Sequence, residues 1–550
     1  MDGGAVRDAW SSSTMFRGME IVLRNRDPRG AWLFAQRICG VCTTVHALAS
    51  VRAVEDAVGA TPPPNARSIR NIIAGTQYIQ DHLVHFYHLH AFDWVDAAAA
   101  TKADPVATSR LAQSISAWPN SSPGYFKGVR DKVKAIVDSG QQSLFANGYW
   151  GHPAYRLAPE ANLLFLAHYL EALDWQREIV RVQAILGGKN PHPQTYLVGG
   201  MAIPIDPSSQ AALNMERFDQ MRGLLERGKA FVDQVYLPDA LLLAAHYPEW
   251  FAHGAGHRTY MCYGDFPEAA GGVPAYRFAR GIVRVADGMS VAPFDQAKIA
   301  EYVTRSWYVY PNERAPLHPW QGTTAPHYTG PKPPFEFLDV EHKYSWLKAP
   351  RYADEPMETG PLARLLVSYA AGRPEVKKSV DAALGTLAIK LSALTSTLGR
   401  VVARALETQV MAGWLLDWHD ELVANVGRGD LRVHDGTFWE PASWPAECEG
   451  WGTHEAPRGS LGHWIRIKNG AIENYQAVVP TTWNASPRDE QGVRGPYEAS
   501  LVGTPVVDAN RPLEILRTVH SFDPCMACAV HVLDPKGKPI VDVHDRGAGW

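Results

Sequence analysis

Two Cys-x-x-Cys pairs stand at opposite ends of this 550-residue chain, Cys39/Cys42 and Cys525/Cys528. The two-residue spacer closes a turn that aims both sulfurs at one point, and Gly40 and Pro524 suit such a turn. Thiolates select soft or borderline metals, so zinc, iron, nickel and iron–sulfur clusters are the candidate occupants. A structural zinc site with four cysteine ligands uses the same pairs, but zinc ribbons bring theirs within tens of residues. Here nearly the whole chain separates them, which favours one buried cofactor site where the two ends meet. A redox disulfide motif would need a βαβ context around each pair, and none is evident. Six cysteines in all are too few for a disulfide scaffold.

Charge narrows the function classes. Lys and Arg number 53 against 57 Asp and Glu, a formal net charge of −4, so nothing marks a nucleic-acid binder or a polybasic membrane-surface protein. With 46% hydrophobic and 20% charged residues the chain can bury a sizeable core. No apolar run reaches the roughly 18–20 residues of a membrane helix. The N-terminus shows no basic segment followed by an apolar stretch, hence no secretory signal.

Periodicity predicts long helices. One covers Thr43 to Val58 and stops at Gly59; a second starts after Pro62-Pro63-Pro64, capped by Asn65, and runs to about Ala100. Its polar positions are unusual: Gln80, Asp81, His82, His85, His88, His90, Asp93 and Asp96. A third follows Pro159 and closes at Gly187-Gly188, and more helix is expected between Glu375 and Val426, broken near Gly399. Residues 201–350 are rich in Pro, Gly and aromatics and read as irregular structure with short strands. Asn469-Gly470 between Trp464–Ile467 and Ile472–Tyr475 is a strong hairpin signal. Asp2-Gly3-Gly4 has hairpin-turn chemistry, with Ala5 to Trp10 as the returning strand and no first strand before it. The expected fold is mostly α with peripheral β (α+β), a long-helix bundle around a buried metal site. One large domain, 1–531, is expected, with 532–550 as a C-terminal extension.

Five further segments accompany the cysteine pairs: Ser13-Thr14-Met15-Phe16-Arg17-Gly18-Met19-Glu20, His85-Phe86-Tyr87, Gly187-Gly188-Lys189-Asn190-Pro191-His192-Pro193, Ala456-Pro457-Arg458-Gly459 and Val478-Val479-Pro480-Thr481-Thr482-Trp483-Asn484. Together these resemble, in order and over essentially the whole chain, the large subunit of nickel–iron hydrogenases. The likeness is nearest to the respiratory uptake type, which is membrane-associated through its partners.

That resemblance implies a nickel held by four thiolates, Cys39 and Cys525 terminal, Cys42 and Cys528 bridging to an iron with one CO and two cyanide ligands. It implies heterolytic cleavage of H2 to protons and electrons, with Cys525 as the direct proton acceptor. Arg458 would hang over the open site, held by Asp81 and Asp523, with Pro457 shaping the same canopy. A guanidinium is a poor base, which makes Arg458 an electrostatic organiser; Arg458 as base in a strained pair stays open. Thr481 would hydrogen-bond a cyanide, and His46 would donate to a bridging sulfur. Glu20, the Ala477 carbonyl and His531 would bind Mg2+. Without the resemblance, Asp81 is a polar helix position, Asp523 a turn or cap before Pro524, and His46 an ordinary helix histidine.

The resemblance also implies partners. Electrons would leave through a small subunit bearing iron–sulfur clusters, often joined to a membrane cytochrome b. The pair would be exported on the small subunit's twin-arginine signal to the periplasmic face. A maturation endopeptidase would cut between His531 and Val532 once nickel is in place, although Val532 to Asp545, with a Pro535-Lys536-Gly537 turn, also reads as a terminal hairpin. The family's Arg-x-Glu-Gly-His segment, whose Glu is a favoured proton-relay residue, has no counterpart before Asp2, and a truncated start is the expected reason. Two rivals frame the reading. A non-catalytic relative, such as the quinone-site subunit of respiratory complex I, lacks the cysteine pairs; a structural zinc protein gives Arg458, Asp81 and Asp523 no reason to converge.

Overall fold

A helix buried on nearly every face belongs at the centre of a molecule, and Pro64–Leu83 is such a helix, with Arg67 and Gln80 among its few half-exposed positions. A computed structural model describes residues 3–139, 149–268, 275–331, 338–525, 531–533 and 539–542, the last two stretches by backbone alone. Against the central helix pack Pro159–Gly187 and Thr397–Gly427, and the apolar faces of these three helices lie in one large core cluster. The architecture is the expected helical bundle with β structure at its edge. Among the described residues no helix is long and apolar enough to cross a membrane.

Several boundaries fall where the residues predict. Val45–Val58 stops at Gly59, and Pro159–Gly187 at Gly188, each glycine in the left-handed conformation. Others move for identifiable reasons. Pro64 opens the central helix from the first turn, where its missing N–H costs nothing, and Asn65 lies inside, donating to the Asp430 carbonyl and accepting from Asn425. That helix does not run to Ala100. It passes into a π-helical turn at Val84–His90, a 3-10 turn at Ala91–Asp93 and a short helix at Ala97–Ala100. The expected break near Gly399 lies just before it, between Leu387 and Thr397, with the Ser396 hydroxyl capping the Gly399 amide. The middle of the chain holds more helix than its composition suggests: Met215–Phe231 and Leu237–His246 fall in a stretch with few Pro or Gly residues.

The β structure that matters most is a three-stranded antiparallel sheet of Glu447–Ala456, Gly459–Lys468 and Ala471–Val478. Asn469 and Gly470, at φ +50° and +75°, form the two-residue turn between the last two strands. The first strand lies flush on the Val45–Val58 helix because Gly450 and Gly452 leave no side chain between them. A Cβ on either would run into the helix backbone, at Ala53 and Ala57 for Gly450 and at Ala49 and Ala53 for Gly452. At the N-terminus, Gly3 and Gly4 do form a turn, and Ala5 pairs antiparallel with Pro505. In the tail, the backbone of His531–Leu533 pairs antiparallel with that of Pro539–Asp542, and the Pro535-Lys536-Gly537 turn lies outside the described residues.

Candidate metal centre

The groups expected at the site arrive from several elements far apart in the chain. The first cysteine pair sits on the loop entering the Val45–Val58 helix, and Asp81 on the last turn of the central helix. Ala456 pairs with Gly459, so Pro457 and Arg458 are the two tip residues of a hairpin. Hairpin tips normally face water, yet this one points inward and Arg458 is 2% exposed. Asp523 and Cys525 follow the helix Leu513–Ser521, and Asp523 is held at φ +57° by the turn that ends it.

These groups meet. Arg458 extends Nη1 to Asp81 Oδ2 and Nη2 to Asp523 Oδ1, 3.1 Å in each case. The thiols of Cys39, Cys42 and Cys525 are mutual neighbours beside that guanidinium. Cys39 Sγ also accepts the backbone N–H groups of Val41 and Cys42 at 3.4 and 3.3 Å. The Cys525 amide donates to Thr481 Oγ1 at 3.2 Å, which brings Thr481 into the cluster. Cys528 lies outside the described residues, as do the side chains of His531 and Val532.

Burial opposes the Arg458 charge, but the Asp523 and Asp81 charges outweigh it and hold the guanidinium above its ordinary range. Arg458 is therefore a fixed cation. Burial pushes the Asp81 carboxyl up to about 7, opposed by Arg458 and reinforced by Asp523 and Cys39. Gln77, which the sequence did not flag, donates to Asp81 Oδ1 at 2.6 Å and to the Val41 carbonyl at 3.2 Å. It thus ties the canopy to the first cysteine loop, and the i, i+4 spacing of Gln77 and Asp81 on one helix was its available signal.

The chain's family follows from more than this cluster. A profile of the nickel-dependent hydrogenases matches residues 17–531. The chain belongs to that family. The uptake hydrogenase large subunit of Rhizobium leguminosarum bv. viciae is 50% identical over 99% of this chain and 94% of its own length. The Hydrogenase-1 large chain of Escherichia coli K12 is 49% identical with the same coverage. Among solved structures, the reduced Ni-Fe-Se hydrogenase of Desulfovibrio vulgaris Hildenborough superposes with a TM-score of 0.73 at 33% identity, over 96% of this chain and 95% of that one. This protein is a hydrogenase large subunit, the catalytic subunit, and its family carries a nickel–iron centre.

The residues of this hydrogenase fit such a centre. Among themselves the three thiols favour one negative charge. Cys39 is held well below the usual thiol range, first by hydrogen bonds from Cys42 and Cys525, while donating to Cys39 is the first cause that pushes Cys42 well up and Cys525 up to about 12. Ionising the whole set takes a multiply charged cation, which is what a metal centre brings. His46 lies close by but bonds elsewhere: its Nδ1 meets His463 Nε2 at 3.0 Å, and among the described residues no sulfur receives it. Burial lowers His46 to about 4, so the ring is neutral.

A second polar cluster surrounds Glu20. Its Oε1 accepts the Ala477 N–H at 2.8 Å and its Oε2 the Thr324 hydroxyl. Lys348 stands beside it, bonded to Gln476 at 2.8 Å and Glu301 at 3.2 Å. Two carboxylates against one ammonium leave negative charge for a cation. The polar face of the central helix has structural partners. His82 meets Glu407 at 2.9 Å, His85 the His520 carbonyl at 2.6 Å, and Asp93 Oδ2 bridges His90 and His520 at 2.7 Å each.

Proposed function

We propose that Cys39, Cys42, Cys525 and Cys528 hold the nickel–iron centre at which H2 is cleaved, beneath a canopy of Arg458, Asp81, Asp523 and Pro457. The observation that carries this reading is the Arg458 fork, hydrogen-bonded to Asp81 and ion-paired with Asp523 beside three thiols. When bound, the centre supplies the redox and Lewis-acid chemistry for heterolytic splitting of H2. The protein supplies the rest. Cys525 Sγ, the proposed terminal thiolate beside the Arg458 fork, accepts the proton. Arg458 stays cationic and does not act as base; its charge and shape orient the reacting space and keep out water. Pro457 contributes its carbonyl, which accepts from Arg364 Nη2 at 2.8 Å and fixes the hairpin tip.

Finer assignments belong to the same proposal. The iron carries one CO and two cyanides, and Thr481, whose Oγ1 accepts from Cys525, still has its hydroxyl proton to donate to a cyanide. Mg2+ sits at Glu20, the Ala477 carbonyl and His531, supported by the uncompensated charge around Glu20. His46 supports a bridging sulfur from the ring edge not engaged by His463. Electrons pass to a small subunit with iron–sulfur clusters. Exposed apolar residues on the N-terminal elements near the first cysteine pair, Ile21, Val22, Leu33, Phe34 and Val41, support docking there. A membrane cytochrome b would complete the assembly at the periplasmic face. Cleavage by a maturation endopeptidase between His531 and Val532 is supported by the family match ending at residue 531.

Infrared spectroscopy of the heterodimer, co-expressed with its maturation machinery, tests the centre. One CO and two cyanide bands per redox state are expected, with nickel and iron in the same sample. Zinc alone in a chain ending at His531 would overturn the proposal.

A further inference from the structure

One buried side chain holds the hairpin tip that carries Arg458, and it has no donor to spare. Arg364 stands on the helix Pro361–Ala370 and is fully buried. Its Nε donates to Glu407 Oε2 at 2.6 Å, and its Nη1 to the Ala456 carbonyl at 2.7 Å and Glu455 Oε2 at 3.1 Å. Its Nη2 donates to Glu407 Oε1 at 2.6 Å and to the Pro457 carbonyl at 2.8 Å. A guanidinium has five N–H groups, and here each finds its own acceptor. Its faces are covered too, with the Tyr78 and Phe278 rings 5.1 and 5.7 Å from its centre. Two of the acceptors are the backbone carbonyls directly before Arg458.

The tip also lies backbone to backbone on the start of that helix. A Cβ on Gly459 would strike Thr359 Oγ1 and the Gly360 nitrogen, and one on Gly360 would meet the Arg458 carbonyl oxygen at 3.0 Å. Glu407, on the Thr397–Gly427 helix, then reaches the other side of the canopy. Its Oε1, which takes Arg364 Nη2, also meets His82 Nε2 at 2.9 Å. Burial lowers His82 to about 4, so the ring is neutral, and the carboxylate draws its one proton to Nε2. His82 follows Asp81 directly on the central helix. One carboxylate oxygen therefore joins the side chain that holds the Arg458 hairpin to the neighbour of Asp81.

We propose that Arg364, Glu407 and His82 form a clamp that sets the distance between Arg458 and Asp81, with Arg364 as a positioning residue for the Arg458 guanidinium. Apolar residues of the same volume often stabilise a fold as well as a buried ion pair does, so the use of this pair lies in the geometry it fixes. That geometry is the 3.1 Å bond from Arg458 Nη1 to Asp81 Oδ2. The clamp stands on the fold alone; its bearing on catalysis rests on the hydrogenase centre proposed above. Arg364→Lys keeps the charge but leaves three donors on a flexible stem for five acceptors. His82→Leu cuts only the link to Glu407, and His82→Gln returns a donor at similar reach.

Crystal structures of the purified heterodimer, with or without metal, read the clamp directly. The Arg458–Asp81 contact is expected to open by about 0.5 Å or more in Arg364→Lys and His82→Leu, the tolerance of a catalytic constellation, and to close again in His82→Gln. In the loaded proteins the cyanide bands should shift and turnover fall about tenfold with KM for H2 unchanged; His82→Gln should recover most of both. An unmoved contact in both variants overturns the clamp, and should Arg364→Lys not fold, His82→Leu decides alone. A moved contact with wild-type bands and turnover overturns its bearing on catalysis. So does a loss of turnover that only tracks nickel content and melting temperature. A wild-type heterodimer without CO or cyanide bands would overturn the centre, and the contact distances would still test the clamp.

Discussion

Arg458 matters for its shape as much as for its charge. One planar fork reaches two carboxylates on different elements, and an ammonium on a flexible stem reaches one at a time. Arg458→Lys is therefore expected to keep the metals and the melting temperature while H2 oxidation falls about 10²-fold, the scale of loss that a 1 Å misplacement brings. Assays of turnover, nickel content and thermal melting on one preparation check it; near-native turnover would show that charge alone suffices. At this scale the cysteines were legible from spacing, since the Cys-x-x-Cys geometry is local. Arg458, Asp81 and Asp523 were not. Asp81 lies 377 residues before Arg458 and Asp523 tens of residues after it, and as single residues each has an ordinary alternative; the family likeness picked them out. Gln77 escaped both routes, because a glutamine on a buried helix bonds whatever the tertiary structure brings to it.

Elements carry the site by how closely they approach one another. The helix after the first cysteine pair and the strand leading to Arg458 touch through Gly450 and Gly452. Gly452→Ala would force helix and strand apart, at a cost of roughly 1–3 kcal/mol for overpacking. It is expected to lower the melting temperature by several degrees and reduce nickel incorporation; a variant with full nickel would show the contact to be slack. A second contact has a pH signature. His168 on Pro159–Gly187 meets Asp239 on Leu237–His246 at 2.8 Å, and Tyr87 of the π turn bonds the same oxygen at 2.7 Å. Burial opposes the imidazolium, but the Asp239 charge and hydrogen bond outweigh it and raise the ring's proton affinity above its ordinary value. The stabilisation is thus complete below the unfolded pKa of about 6.5 and drains away as pH rises through the folded one. The melting temperature of wild type should exceed that of His168→Gln by more at pH 6 than at pH 8.5. Helix starts and stops at Pro and Gly were legible because those residues act on the backbone directly. The π turn at Val84–His90 was not, since apolar and aromatic side chains at that spacing continue a helix equally well and only packing decides.

The whole molecule brings the two halves of the proposed ligand set from its opposite ends, yet its large apolar core lies apart from them. Among the described residues the large apolar cluster draws on helices and short strands between Trp32 and Val426 and includes neither cysteine pair. Folding and metal loading are therefore separable, unlike small metal-dependent domains whose binding energy is their folding energy. Cys525→Ser removes one ligand and the proposed proton acceptor without touching that core. It is expected to leave helical circular dichroism intact and the melting temperature within a few degrees of the metal-free wild type. Nickel should be lost. If processing waits for nickel, intact mass should find residues 532–550 still attached in Cys525→Ser and absent from the loaded wild type. A Cys525→Ser chain trimmed at His531 would uncouple processing from the metal. One that failed to fold would mean that the centre, and not the helical bundle, holds the two ends of the chain in place.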